Sequence, residues 1–419
     1  MTKTRAGGVT NFDAWKHAYA ARAENLAVSE VRALFSVVSR PEVVSLAGGM
    51  PDVAALDGEL IEKAFESMMA NRRNYALQYG GGQGDLRLRE QIQGIMALEG
   101  VHGSVDDITV TTGSQHALEL ISDLFLDQGD VVLVEAPSYV GAVGIFRHKE
   151  AHIEHVFTDE HGISPLALAE AADRLAAEGK KIKLLYLVPN FANPSGVTLT
   201  AERRVEVLEI CKERKILIIE DNPYGQLYFG KEPPKAIRSL DDSNVVYLGS
   251  FSKILSPGLR VGYVLAPPAI REKLVLANES AILSPASFAQ MLVSEYLSIA
   301  DWQNQIVTFR DLYQTKRDAA LTAVEKYLPK IQTTRPDGGF FLWLTMPTGL
   351  NSKEMLPLAV NELVAYTPGT AFFGDGRGAE NIRICFSHPT AENVGVGIER
   401  LSRVLNQQID LLETFGESN

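Results

Sequence analysis

Short, almost uninterrupted apolar or β-branched runs at 108–112, 131–134, 184–188, 216–219, 245–248 and 261–265 constrain this chain more than any other feature. A strand that is apolar at nearly every position is buried on both faces, as in a sheet covered by helices on each side. Between several runs the period changes to that of a helix. Examples are Ala117, Leu118, Ile121, Leu124 and Phe125, and Val205, Leu208 and Cys211, the second set entered through Thr200 as an N-cap. This alternation predicts an α/β fold with a mostly parallel sheet. Ligands of such sheets gather beyond the carboxyl ends of the strands, so a site is expected just after each run.

The rhythm changes after about residue 300, where long amphipathic helical patterns are followed by strand-like runs at 338–344 and 382–386. The expected division is an N-terminal segment (1–55) that packs with a smaller α+β domain (301–419), and a large domain between them (56–300). The N-terminal segment holds a helical pattern and then an extended, turn-punctuated stretch at 45–51. A chain of 419 residues is too long for one small core, which agrees with this division.

A net charge of −12 disfavours a sequence-independent grip on nucleic acid or on an anionic membrane. An anionic ligand would need a local basic pocket. The two cysteines, Cys211 and Cys385, lie far apart without metal-ligand spacing, and the eight histidines form no recognisable ligand set. Reduced thiols, no metal and a cytoplasmic location are expected. No run approaches the roughly 18 apolar residues of a membrane span, and the first residues lack a signal-peptide core.

The residues after the runs are polar and specific. Gly113-Ser114-Gln115 opens a helix, and its free N–H groups suit either a phosphate or a simple cap. The next runs are followed by Tyr139, by Pro189 to Gly196 with Asn193, and by Asp221 to Tyr224. Each has an ordinary reading as loop chemistry, since Asn-Pro and Pro-Ser-Gly form turns and a lone Asp often caps. After 245–248 come Gly249-Ser250-Phe251-Ser252-Lys253 and then Pro257-Gly258-Leu259-Arg260. A lysine at the end of a buried strand is unfavourable to desolvate unless it is paired or used chemically, and burial lowers its pKa toward a nucleophilic amine.

This spaced set resembles the fold type I enzymes of pyridoxal 5′-phosphate, and within them the class I/II aminotransferases. The most similar branch includes 2-aminoadipate, kynurenine and multi-substrate aminotransferases. The resemblance runs from about residue 25 to 405 and rests on motifs in family order: 46–51, Tyr79-Gly80 with 84–89, the Gly113 turn, 189–196, 221–224, the lysine motif and Arg383. Two departures are Ala192, where related sequences often carry Gln, and Ser195 in place of Thr.

The resemblance implies Lys253 as the Schiff-base lysine and the base that moves the Cα proton to the cofactor's C4′. It implies Asp221 as partner of the protonated pyridine nitrogen, Tyr224 and Asn193 as donors to the phenolate oxygen, and Tyr139 as a ring stacked on the cofactor. Ser114, Gln115, Ser250, Ser252 and Arg260 would hold the phosphate, with Tyr79 reaching it from the other subunit of a homodimer. Arg383 would clamp the substrate α-carboxylate bidentately, aided by Asn193 and the Gly49 backbone. The expected activity is ping-pong transfer of an amino group from an L-amino acid to a 2-oxo acid such as 2-oxoglutarate.

A β-lyase or decarboxylase of the same fold would share the lysine, aspartate and phosphate residues. A third possibility is the aminotransferase-like sensor domain of certain transcription regulators. That would need a helix-turn-helix module, for which the roughly 30 residues ahead of the resemblance are too few. A candidate for substrate choice is Arg32. It falls in the first turn of a helix whose Val31, Leu34, Phe35 and Val38 share a face, with Ser29 as N-cap. A cation there opposes the helix dipole. It reads either as a surface arginine or as a residue that meets a substrate's distal carboxylate.

Overall fold

The computed structural model describes residues 15–26 and 40–415. Arg32 and the helix expected around it lie outside the described residues. The strands are β1 (Val44–Ser45), β2 (Ile108–Thr111), β3 (Val131–Ala136), β4 (His152–Asp159), β5 (Gly162–Ile163), β6 (Ile182–Leu187), β7 (Leu217–Asp221), β8 (Val245–Ser250), β9 (Gly262–Leu265), β10 (Gln332–Thr333), β11 (Phe341–Thr345), β12 (Val364–Ala365), β13 (Thr367–Pro368) and β14 (Asn381–Cys385).

Among the described residues, the main sheet has the order β2-β9-β8-β7-β6-β3-β4-β5. Its centre, from β8 through β7, β6 and β3 to β4, is parallel, while β9 runs antiparallel to both β8 and β2. The reversal at β9 has a local cause. The link from β8 to β9 is too short for the crossover that a parallel neighbour requires, so the chain turns back beside its own strand. That link carries Lys253.

Alternate residues of the central strands feed two different cores, as the period of two demands. Val131, Leu133, Leu185, Ile218 and Val245 pack on one face, while Val132, Val134, Leu184, Ile219 and Val246 pack on the other. Helix α1 (Ser114–Phe125) covers the second face through Ala117, Leu118 and Ile121, and α2 (Ala201–Glu213) covers the first through Val207, Leu208 and Cys211. Thr200 caps α2 as expected, its side chain accepting from the Arg203 N–H at 3.4 Å.

The long helix α3 (Trp302–Tyr327) leads into a four-stranded antiparallel sheet of order β10-β11-β14-β13. Strand β11 begins at Phe341 rather than at Gly338, because Gly338 and Gly339 turn tightly over Phe191. Gly339 has φ +69°, and a Cβ on it would come within 2.7 Å of the Phe191 side chain. Strand β1 pairs in parallel with β12, Val44 opposite Val364, so the stretch that follows it is anchored to the C-terminal part of the chain. Cys211 and Cys385 are free and buried. Among the described residues no helix is long and apolar enough to cross a membrane, and no group of three or more His, Cys, Asp or Glu is disposed to hold a metal ion.

Candidate active site

The carboxyl ends of β3, β6, β7 and β8 open into a cavity of about 450 Å³. Gly49, Ser114, Gln115, Tyr139, Asn193, Asp221, Tyr224, Ser250, Ser252, Lys253, Arg260 and Arg383 all line it. Twelve residues expected from scattered sequence positions thus meet at one place. Two do not: Tyr79 is 79% exposed and away from the cavity in this chain, and Arg32 is outside the described residues.

Lys253 is half-buried, and its Nζ donates to the Gly49 carbonyl at 2.7 Å. The same nitrogen lies 5.6 Å from the ring centre of Phe340 and 6.0 Å from that of Tyr224. Desolvation by these walls lowers its pKa to about 8; the charges of Arg383 and Arg260 push the same way, and Cys385 and Asp221 oppose them. Near neutral pH a useful fraction of the amine is therefore unprotonated and nucleophilic.

Asp221 ends β7, fully enclosed. Its Oδ2 accepts from the Tyr186 hydroxyl at 2.8 Å. Its Oδ1 has no hydrogen-bond partner among the described residues. Burial raises its pKa to about 6, against the pull of Tyr186 and Lys253. A buried carboxylate oxygen without a donor carries a large desolvation penalty, which a cationic N–H placed in the cavity would relieve.

On one side of the cavity stand the donors for an anion. Gly113 (φ +81°) precedes α1, whose first N–H groups lack intrahelical partners. The guanidinium of Arg260 packs against Gly113 where any Cβ would collide, and it donates to the Thr112 carbonyl at 3.2 Å. Ser250 Oγ accepts from the Ser252 N–H at 3.1 Å, which leaves its own hydrogen free to donate. The Tyr139 hydroxyl donates to Gln115 Oε1 at 3.0 Å and so braces a ring against the same end.

Arg383 stands on the other side, in the middle of β14 and 2% exposed. It donates through Nη1 to Asn193 Oδ1 at 2.8 Å, and through Nη2 to the Ala47 carbonyl and to Thr367 Oγ1. Its plane is held between Phe341 and Phe372, with ring centres 4.5 and 4.9 Å from Cζ. Burial lowers its pKa, and its Nε has no partner among the described residues. A guanidinium fixed in this way is preorganised for a planar carboxylate.

Several residues in this arrangement were not anticipated from the sequence: Tyr186 beneath Asp221, the Phe341 and Phe372 plates, and Thr367 and Ala47 behind Arg383. For Tyr186 a signal existed. A tyrosine within an otherwise apolar buried run needs a partner for its hydroxyl, and the neighbouring parallel strand is the place to find one.

A family model described as aminotransferase class I and II matches residues 41–401. The chain is 36% identical over 394 residues to aromatic-amino-acid aminotransferase 1 of Thermococcus litoralis, a match covering 93% of this chain and 94% of that one. A kynurenine aminotransferase of Pyrococcus horikoshii, solved in complex with PMP, KYN and KYA, superposes with a TM-score of 0.91 at 36% identity, covering 94% of this chain and 98% of that one. The alpha-aminoadipate aminotransferase LysN of Thermus thermophilus, complexed with N-(5′-phosphopyridoxyl)-L-leucine, superposes with a TM-score of 0.88 at 33% identity, covering 95% of this chain and 100% of that one.

Proposed function

This chain belongs to the class I and II aminotransferases, enzymes that work with pyridoxal 5′-phosphate, and on that premise we propose that it passes the amino group of an L-amino acid to 2-oxoglutarate in two half-reactions at one site. The observation that carries this reading is the placing of Lys253 in one cavity between a set of anion donors and the Arg383 guanidinium. The residues fit the cofactor. The serines, Gln115, Arg260 and the start of α1 would hold its phosphate, and the unpartnered Asp221 Oδ1 would hold a proton at the pyridine nitrogen. Tyr224 and Asn193 would donate to its phenolate oxygen, and the Tyr139 ring would lie against it.

When bound, the cofactor supplies an electron sink for the pair left at the substrate Cα. Lys253 Nζ would hold the cofactor covalently and, when freed, would serve as the base for the proton on Cα. Arg383 receives the α-carboxylate with Asn193 and the Gly49 backbone, and this orientation turns the Cα–H bond toward Lys253. Burial of the cavity walls keeps these charges strong by excluding water.

A homodimer completes the reading. Tyr79, Tyr75 and Leu77 are 79%, 71% and 66% exposed in a single chain, and Phe65 and Phe288 form an exposed ring pair with centres 6.2 Å apart. A surface this apolar calls for a partner, and a second copy would bring Tyr79 to the phosphate end of its neighbour's site. The buried free thiols support a cytoplasmic setting. The sheets support a division into the N-terminal segment (1–55), large domain (56–300) and small domain (301–419).

The test is purified protein with pyridoxal 5′-phosphate, 2-oxoglutarate and a panel of L-amino acids, followed by glutamate formation. Glutamate should accumulate with at least one aromatic or 2-aminoadipate-type donor. Release of a 2-oxo acid in the absence of any acceptor, without glutamate when the acceptor is present, would replace this reading with a lyase.

A further inference from the structure

The buried positions of α3 recur with helical spacing at Ile306, Phe309, Tyr313, Lys316, Ala320 and Ala323, and Lys316 is the misfit among them. Its side chain is 3% exposed, and its ammonium is fully engaged. Nζ donates to Asp52 Oδ2 at 2.7 Å and to the Ser387 carbonyl at 2.8 Å. One turn earlier the Tyr313 hydroxyl accepts from the Asp52 N–H at 2.9 Å. A lysine buried in an apolar stripe is retained against a large desolvation penalty, so what it joins is informative.

It joins the two strips of backbone that frame the substrate end of the cavity. One is 46–52, which presents the Ala47 carbonyl to Arg383 and the Gly49 carbonyl to Lys253. The other is β14, which carries Arg383 and continues into Ser387. Ser387 Oγ donates to the Met50 carbonyl at 2.6 Å and the Cys385 N–H donates to the Leu46 carbonyl at 2.8 Å, so the strips are stitched together along their length. Lys316 closes the last stitch, and from a helix that belongs to neither.

We propose that Lys316, through Asp52, is a positioning residue for substrate carboxylate binding: it sets the spacing between the Gly49 strip and the Arg383 strand. This rests on the reading of Arg383 as the carboxylate clamp. Loss of Lys316 lets the Gly49 strip drift from β14, which loosens the clamp while the cofactor's donors at the opposite end are untouched. Asp52 is 23% exposed and can rehydrate, so the fold tolerates the change.

The experiment compares Lys316→Met, Asp52→Asn and Arg383→Gln holoenzymes with wild type, and uses the surface variant Lys330→Met as control. It reads KM and kcat for the best amino donor, the Kd for pyridoxal 5′-phosphate, the melting temperature, and the Kd of 3-phenylpropionate, a carboxylate without an amine, by absorbance titration. Lys316→Met should raise KM and the 3-phenylpropionate Kd roughly tenfold or more and lower kcat as well, because the same clamp aims the Cα–H bond at Lys253, with the cofactor Kd nearly unchanged. Asp52→Asn should shift them the same way but less. A Lys316→Met protein that melts earlier yet binds 3-phenylpropionate like wild type would overturn the proposal alone. Wild-type carboxylate binding by Arg383→Gln would overturn the clamp reading and this proposal with it.

Discussion

Capture of pyridoxal 5′-phosphate by the cofactor-free protein should follow the ionisation of a lysine with a midpoint near pH 8. The attacking species is the neutral amine, and enclosure of Lys253 lowers its pKa from 10.5 to about 8. At pH 7 an amine of pKa about 8 is roughly one-tenth neutral, against roughly 3 parts in 10,000 for an ordinary lysine, a gain of roughly 300-fold in reactive amine. The sign follows from the depressed pKa: the capture rate rises with pH up to about 8 and then levels, where a solvent-exposed lysine would still be climbing at 9.5. Stopped-flow absorbance between pH 6 and 10 measures it, with Nα-acetyl-lysine run in parallel so that the ionisations of pyridoxal 5′-phosphate itself cancel in the ratio. Lys253→Ala should lose the covalent absorbance band while the phosphate donors still bind the cofactor. Arg383→Gln should move the midpoint up only slightly, because desolvation is the larger cause and the neighbouring charge the smaller one. A rate ratio flat across the range, or a midpoint close to 10, would refute the enclosed-amine argument, and a Lys253→Ala protein that keeps the band would assign the linkage to another lysine.

Asp221→Ala should reduce turnover by several orders of magnitude and Asp221→Glu by less, since only the carboxylate can hold the ring proton; turnover of Asp221→Ala within about tenfold of wild type, roughly 1.4 kcal/mol in barrier, would remove that role. Dilution of the wild type should dissociate the dimer and release cofactor, and Tyr79→Ala should bind pyridoxal 5′-phosphate more weakly even at high protein concentration, as read by sedimentation and absorbance together. A fully active monomer would end the two-chain reading of the site.

What the sequence made legible was whatever is local to a strand end. Asp221, Ser250 and Lys253 directly follow or close apolar runs, so knowing that the sheet is parallel and buried already places them on one edge. The same logic found the Gly113 turn, whose glycine is required by the approach of Arg260. It could not find what depends on contacts distant in sequence. The plates around Arg383 come from β11 and from the turn at Phe372, and its carbonyl partner Ala47 lies 336 residues away. The direction of β9 is not legible in its residues, because apolarity reports burial and says nothing about direction, which here is decided by the length of the lysine loop.

Lys316 marks the border between the two kinds of information. Its intrusion into the stripe of Ile306, Phe309, Tyr313 and Ala320 is visible in spacing alone, and such a break in an otherwise consistent pattern is where function is to be sought. Spacing does not say what the ammonium reaches. Only the fold shows that Asp52 and Ser387, from opposite ends of the chain, meet at its Nζ. Both then lead within a few residues to the groups that would face a substrate, Gly49 on one strip and Arg383 on the other. The site is therefore set by two layers of different legibility: reactive groups displayed at strand ends, and an ion pair with a buried lysine that holds the Gly49 strip and the Arg383 strand in register.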